Sequence, residues 1–311
     1  MTEIIPAYYD SFRCIASACR HCCCIGWEID IDGDTAEYYA GIPGELGKRL
    51  RENITPGAPA SFRLDAAERC PFLNGDNLCE LILALGEESL CDICTEHPRF
   101  HNWYDDRVES GLGLCCEAAA ALIMGEKEPF APVICGPKPT DTMFGLRERV
   151  LQLFCDRSMP LSDRCGAVLA LCGGRHLAQR SPRSWIDLFR TLEQMQPDWT
   201  DDLCRLADGY DQIDFGAFSA AARAWETEYE QLLCYFIYRH FLNMAEEYGP
   251  GSAAGFAALS CSMIFALQAA EFQRCGSVNF ETRADIARRY SAEIEYSDEN
   301  PQRLLEALQQ K

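Results

Sequence analysis

Positive charge is scarce in this chain of 311 residues. It has 28 Lys and Arg against 48 Asp and Glu, a formal net charge of −20. That balance argues against nucleic acid as the main ligand, because a phosphate backbone is held by clustered cations. Long apolar runs are also missing. The nearest, 252–270, is rich in Ala, Ser and Gly and falls short of the roughly 20 residues of a spanning helix, so no membrane span is expected. The opening MTEIIPAYYDSF has Glu3 and Pro6 where a signal peptide would have basic and then apolar residues. A cytoplasmic, reducing setting is therefore expected. There is no repeat at a solenoid period and no low-complexity tract. Gly111-Leu112-Gly113 is a lone G-x-G without the strand and helix that frame a dinucleotide loop. A C-x3-C-x2-C radical signature is absent as well, since Cys19-x3-Cys23 leads on to Gly26.

Cysteine is the exception, with 19. Eleven fall at or before residue 116: Cys14, Cys19, Cys22, Cys23, Cys24, Cys70, Cys79, Cys91, Cys94, Cys115 and Cys116. In a reducing compartment such crowding points to metal or redox chemistry rather than disulfides. Adjacent thiols bridge to one another only with strain, but several can surround a soft metal or a cluster from one loop. Four thiolates serve zinc or iron–sulfur equally well, so spacing alone does not choose. Cys91-x2-Cys94 also has the form of a thioredoxin redox pair, without the βαβ pattern that goes with it. His21 and His97 lie inside the cysteine-rich stretches and are further potential ligands. The eight later cysteines stand singly on helical stretches and read as buried free thiols.

Residues 1–125 read as an irregular, cysteine-rich metal-binding module. It holds an extended piece over 27–32, a helix over 34–51 interrupted at Gly41 to Gly44, and a loop over 53–61. Helical spacing follows over 78–90, a loop over 94–98, and an Ala-rich helix over 117–124. Residues 126–140 contain four prolines and read as a linker. From 141 to 311 the apolar period is helical, with Phe144, Val150, Leu151 and Phe154 on one face below an Asp141 or Thr142 N-cap. Further helices are expected over 161–179, 184–195, 217–248, 252–275, 280–289 and 301–310. The expected fold is mainly α, with an all-α C-terminal domain.

Three cysteine blocks, FRCIASACRHCCCIGWEIDID, RCPFLNGDNLCELILALGEESLCDICTEHPRF and LGLCCEAAA, resemble those of the flagellin lysine-N-methylase family. The helical stretches LRERVLQLFCDRSMPLSDRCGAVLALCGGRH, YFIYRHFLN and YSAEIEYSDENPQRLL resemble that family's later blocks in the same order. The resemblance puts the family's cysteine pattern on Cys14, Cys19, Cys23, Cys24, Cys70, Cys79, Cys94 and Cys115, with Cys22, Cys91 and Cys116 as extras. It implies an iron–sulfur cluster, 4Fe–4S in type, with room for zinc at a second site. It also implies methyl transfer from S-adenosylmethionine to lysines of flagellin, and so flagellin as partner. Ala292 replaces an arginine common in that family.

Methyl transfer needs a neutral amine, and lysine, with a pKa of about 10.4, must lose a proton first. Glu293, Glu295 and Tyr290 in the last block are the candidates to assist. In a helix Tyr290 and Glu293 share a face, and Glu293 and Tyr296 likewise. The plainer reading is a solvated charged stripe beside packed tyrosines. The rival function is a non-catalytic zinc or iron–sulfur protein, acting as an adaptor or in electron transfer.

Overall fold

The computed structural model describes residues 1–174 and 180–309. The chain divides into two compact units. Met1–Phe12, His101–Cys115 and Ala119–Lys311 make up the larger, and Arg13–Phe100 with Cys116–Ala118 the smaller.

Strand β1 (Thr2–Pro6) begins the larger unit. The smaller unit follows with β2 (Asp30–Ile31), α1 (Gly33–Gly41), α2 (Gly44–Asn53), β3 (Ile54–Thr55), β4 (Ala60–Phe62), α3 (Glu80–Leu85) and α4 (Asp92–Glu96). The Asp32 carboxylate caps α1 by accepting from the Thr35 N–H at 2.8 Å, satisfying one of the first-turn donors. The break between α1 and α2 falls at Ile42-Pro43, where the residue before proline is held extended. The stretch expected as a loop over 53–61 instead contributes β3 and β4, in a sheet of order β2-β4-β3. Its turn residues are confined to the middle, and Ile54 pairs with Phe62, whose ring enters the core. Ile29, Ile31, Tyr39, Leu50, Phe62 and Phe72 fill that core with Cys70 and Cys91, and Cys22, Cys24, Cys79 and Cys94 pack against it.

The chain continues with β5 (Arg99–Trp103), β6 (Arg107–Leu112), α5 (Glu117–Gly125) and β7 (Pro132–Cys135), of which β6 and β7 lie wholly in the larger unit and β5 and α5 mostly so. These form a four-stranded sheet of order β5-β6-β1-β7. Strand β1 runs parallel to β6 and antiparallel to β7, with Ile4 opposite Ile134. The larger unit is therefore not all-α, and residues 1–12 and 101–115 group with it rather than with the cysteine-rich stretch. The proline-rich segment over 126–140 contains an edge strand, where Pro132 needs no ladder donor.

Helices α6 (Thr142–Phe154), α7 (Leu161–Leu171), α8 (Pro182–Arg190), α9 (Pro197–Gly209), α10 (Phe215–Ala222), α11 (Glu226–Tyr248), α12 (Pro250–Cys275), α13 (Phe280–Ile294) and α14 (Asn300–Gln309) complete the chain. The mainly helical expectation holds. Asp141 caps α6, accepting from the Phe144 N–H at 2.7 Å, and Phe144, Val150, Leu151 and Phe154 are all buried. Helix α7 ends at Leu171, short of the expected 179: residues 172–174 leave the helix in a turn, and 175–179 lie outside the described residues. Helix α12 is apolar and long enough to cross a membrane by length and composition, yet 78% of its most apolar window is buried inside the protein. Of the eight later cysteines, Cys172, Cys234 and Cys261 are buried, whereas Cys135 and Cys275 are exposed and depart from the expected burial.

Candidate functional site

Local chain geometry brings the thiols of the smaller unit together. Gly26 adopts φ +78°, a left-handed conformation that glycine takes at little cost. It turns the chain so that its N–H reaches the Glu68 carbonyl at 3.0 Å, and the Cys70 N–H then donates to the Cys24 carbonyl at 2.9 Å. The Cys22 thiol is in hydrogen-bond contact with Cys23 and Cys24, and Cys91 with Cys94. Cys70 lies within electrostatic reach of Cys79, Cys91 and Cys22, and Cys94 within reach of Cys70 and Cys23. Seven sulfurs are thus linked by these contacts in and around the core, in which Cys70 and Cys91 are buried. All are free thiols. Among the described residues no three such side chains are already set at metal-ligating geometry. The donor set is nonetheless the all-sulfur kind that soft metals and iron–sulfur clusters take.

This group includes Cys22 and Cys91, the extras of the sequence pattern. The signal for Cys91 was its C-x2-C spacing to Cys94. Burial lowers the pKa of His97, keeping its imidazole neutral beside Cys22. Cys14 is exposed, accepts from the Ala16 N–H and lies near Cys23. Cys19 belongs to a second, smaller grouping with Cys116 and Glu117, and burial pushes its thiol up to about 11. The Glu117 carboxylate also takes the Arg20 N–H and guanidinium, both at 2.8 Å. Cys115 lies in the larger unit, buried and hydrogen-bonded to Tyr296.

The three candidates at the end of α13 occupy three different environments of the larger unit. Tyr290 is fully buried, donates to the Ser260 hydroxyl at 2.7 Å and packs against Phe189, Trp199 and Phe236. Glu295 receives the Tyr235 hydroxyl at 2.9 Å, His240 Nε2 at 2.6 Å and Arg239 Nη1 at 3.2 Å. Burial works to raise its pKa, but Arg239 and His240 outweigh that and hold it below the usual carboxylate range. The Tyr235 hydroxyl also accepts from the Leu114 N–H at 3.0 Å, so this network anchors the chain next to Cys115. Glu293 is wholly buried and takes the Met195 N–H on Oε2 at 2.8 Å, while Oε1 has no hydrogen bond within the described residues. Neither glutamate belongs to a solvated stripe.

Burial pushes Glu293 up to about 7, with Glu193 adding to the rise against the Met195 and Gln196 N–H groups. A folded-state pKa above the unfolded one means that the unfolded chain ionises first as pH rises. Stability is then highest below about 4.5 and falls until about pH 7, by about 3 kcal/mol at most. Glu293→Gln should remove this slope, so urea midpoints at pH 5 and pH 8 should differ less than in the parent. Parallel pH profiles for the two proteins would refute the buried, proton-retaining carboxyl.

Residues 175–311 match the family model described as FliB lysine N-methylase C-terminal domain. The chain is 30% identical over 138 residues to the flagellar biosynthetic protein FliU of Salmonella muenchen, covering 42% of this chain and 82% of that protein. The chain belongs to the flagellin lysine-N-methylase family. It is also 28% identical over 167 residues to proteins named Lysine-N-methylase from Salmonella typhimurium and Salmonella choleraesuis. Those matches cover 50% of this chain and 41% of either relative, so this family member is aligned with less than half the length of the two methylases. No solved structure matches the chain.

Proposed function

We propose that the protein is a protein-lysine N-methyltransferase acting on flagellin in the cytoplasm, with S-adenosylmethionine as donor and a bound iron–sulfur cluster. Membership of the family, through relatives named for lysine methylation, is the observation that carries the reaction. The convergence of seven thiols supports the cluster.

A 4Fe–4S cluster would draw its four thiolates from Cys22, Cys23, Cys24, Cys70, Cys79, Cys91 and Cys94. Zinc at a second site, drawing on Cys19 and Cys116, belongs to the same reading. When bound, the cluster supplies metal–thiolate bonds that fix these loops and a redox-active centre beside them.

In the transfer itself, the neutral ε-amine of the substrate lysine attacks the methyl carbon of the sulfonium. The carbon–sulfur bond breaks with its electron pair going to sulfur, S-adenosylhomocysteine leaves, and the new ammonium gives up a proton. Tyr290 and Glu295 have their polar atoms committed to protein partners and act as positioning groups for the turn after α13. Glu293 is the one of the three with an oxygen left without a hydrogen bond among the described residues, although the side chain is wholly buried. The acidity of the chain favours a cationic lysine-bearing partner and a cationic donor.

Intact-mass analysis of flagellin incubated with anaerobically purified protein and S-adenosylmethionine tests this. Gains in multiples of one CH2 are expected. No gain from protein that retains its iron would overturn methyl transfer and leave a metal-binding adaptor.

A further inference from the structure

A cavity of about 860 Å³ lies among α7, α8, α10, α11 and α12 of the larger unit. That is within the roughly 300–1,000 Å³ of small-molecule sites. The space is open to solvent on one side, which is what entry of a small ligand from solution needs. Its cause is legible in the lining, where Gly166, Ser219, Ala222, Ala258 and Ser262 stand in place of larger side chains. Gly166 is the telling position. It lies inside α7, where glycine costs about 1 kcal/mol relative to alanine, and a Cβ built there would meet no atom within 4 Å. Nothing in the packing requires glycine there; what its absent side chain preserves is the space.

The chemistry of the wall narrows the occupant. Trp185, Tyr210, Phe215, Tyr229 and Phe265 give an aromatic lining suited to a flat heteroaromatic ring. Two cations and an anion also face the space: Arg180, Arg223 and Glu226. The Arg164 guanidinium holds the Glu226 carboxylate at 2.6 Å, and Glu226 remains 40% exposed. A molecule joining a flat base to an amino-acid zwitterion and a sulfonium uses all of these groups, and aromatic faces attract a sulfonium as they do an ammonium. The chain has no glycine-rich nucleotide loop to do this work: Gly111, Leu112 and Gly113 are buried at the end of β6.

We propose that this cavity is the methyl-donor site, taking an adenosyl sulfonium with its base on the aromatic wall and its amino-acid end between Arg180, Arg223 and Glu226. The assignment rests on the methyl-transfer reading above. Its test is calorimetric titration of S-adenosylhomocysteine into anaerobically purified full-length protein. The parent should bind one equivalent. Gly166→Trp, which fills the space, should weaken binding by at least about tenfold, and Arg223→Glu should weaken it several-fold. Far-UV circular dichroism and iron content should match the parent in both. If both folded variants bind like the parent, the donor sits elsewhere and the methyl-transfer reading stands. If the parent itself binds no S-adenosylhomocysteine, the donor reading falls and this assignment with it. Should Gly166→Trp fail to fold, Arg223→Glu together with Ser262→Phe decides between the same outcomes.

Discussion

On the proposed cluster reading, replacing Cys70 and Cys91 together by serine is expected to strip the iron from anaerobically purified protein and destabilise the smaller unit. Both thiols are buried in the core of that unit beside Tyr39, Phe62 and Phe72, and five more cysteines lie close to them. In small metal-nucleated units the binding free energy is folding free energy, about 10–16 kcal/mol for structural zinc in finger peptides. Losing two of the best-buried donors should remove most of it. Iron and sulfide analysis, visible absorbance and limited proteolysis report the outcome. Visible absorbance should vanish, and new cleavage should appear between residues 13 and 100 while the helical unit persists. Cys135→Ser, at an exposed position, should change none of these. Full iron and sulfide in the double variant would show that these thiols are not ligands.

The second large effect is expected in the larger unit at Arg283. Its guanidinium makes a two-pronged pair with Glu228, both contacts at 2.7 Å, and donates to the Val278 carbonyl at 2.7 Å while lying over the Trp225 ring. Both side chains are almost wholly buried. Arg283→Met leaves the Glu228 carboxylate in a dry site without its cation, which should cost about 3–5 kcal/mol. Removing both charges with Glu228→Leu and Arg283→Met should recover most of that loss, because the pair itself offsets little more than its own desolvation. Urea unfolding of the two variants checks the contrast. Equal losses in the single and double variants would mean that packing, rather than an uncompensated charge, sets the cost.

Much of the larger unit was legible because its signals are local. The 3.6-residue period, the Asp141 cap and the proline at the start of α14 act within one or two turns and need no distant partner. The sheet was not legible. Strand β1 pairs with β6 and β7, which lie far along the chain, and strands of four to six residues are too short for alternation to stand out. The turn chemistry in 53–61 hid the hairpin of β3 and β4 in the same way, since Pro and Gly mark the middle of the segment and say nothing about its ends.

The candidate residues divide along similar lines. A thiol-rich first third and a relation to lysine methylases both follow from composition and from cysteine spacings that recur as a set. Spacing does not say which sulfurs meet. That is decided by turns such as the one at Gly26, which lays Cys24 against Cys70, and by the short helix that presents Cys91 and Cys94 together. The fate of Tyr290, Glu293 and Glu295 was equally a tertiary matter. One short stretch of helix and turn sends them to a packed aromatic cluster, a backbone cap and an ion-pair network, because burial depends on what each face meets.

By itself, then, the sequence determined the helical character of the chain, the crowding of its thiols and the family to which it belongs, all properties carried by neighbours in the chain. The tertiary structure alone decided which thiols converge, which carboxyl groups are wholly buried and where a cavity opens. Each of those depends on side chains brought close from distant positions, and on the desolvation that such closeness brings.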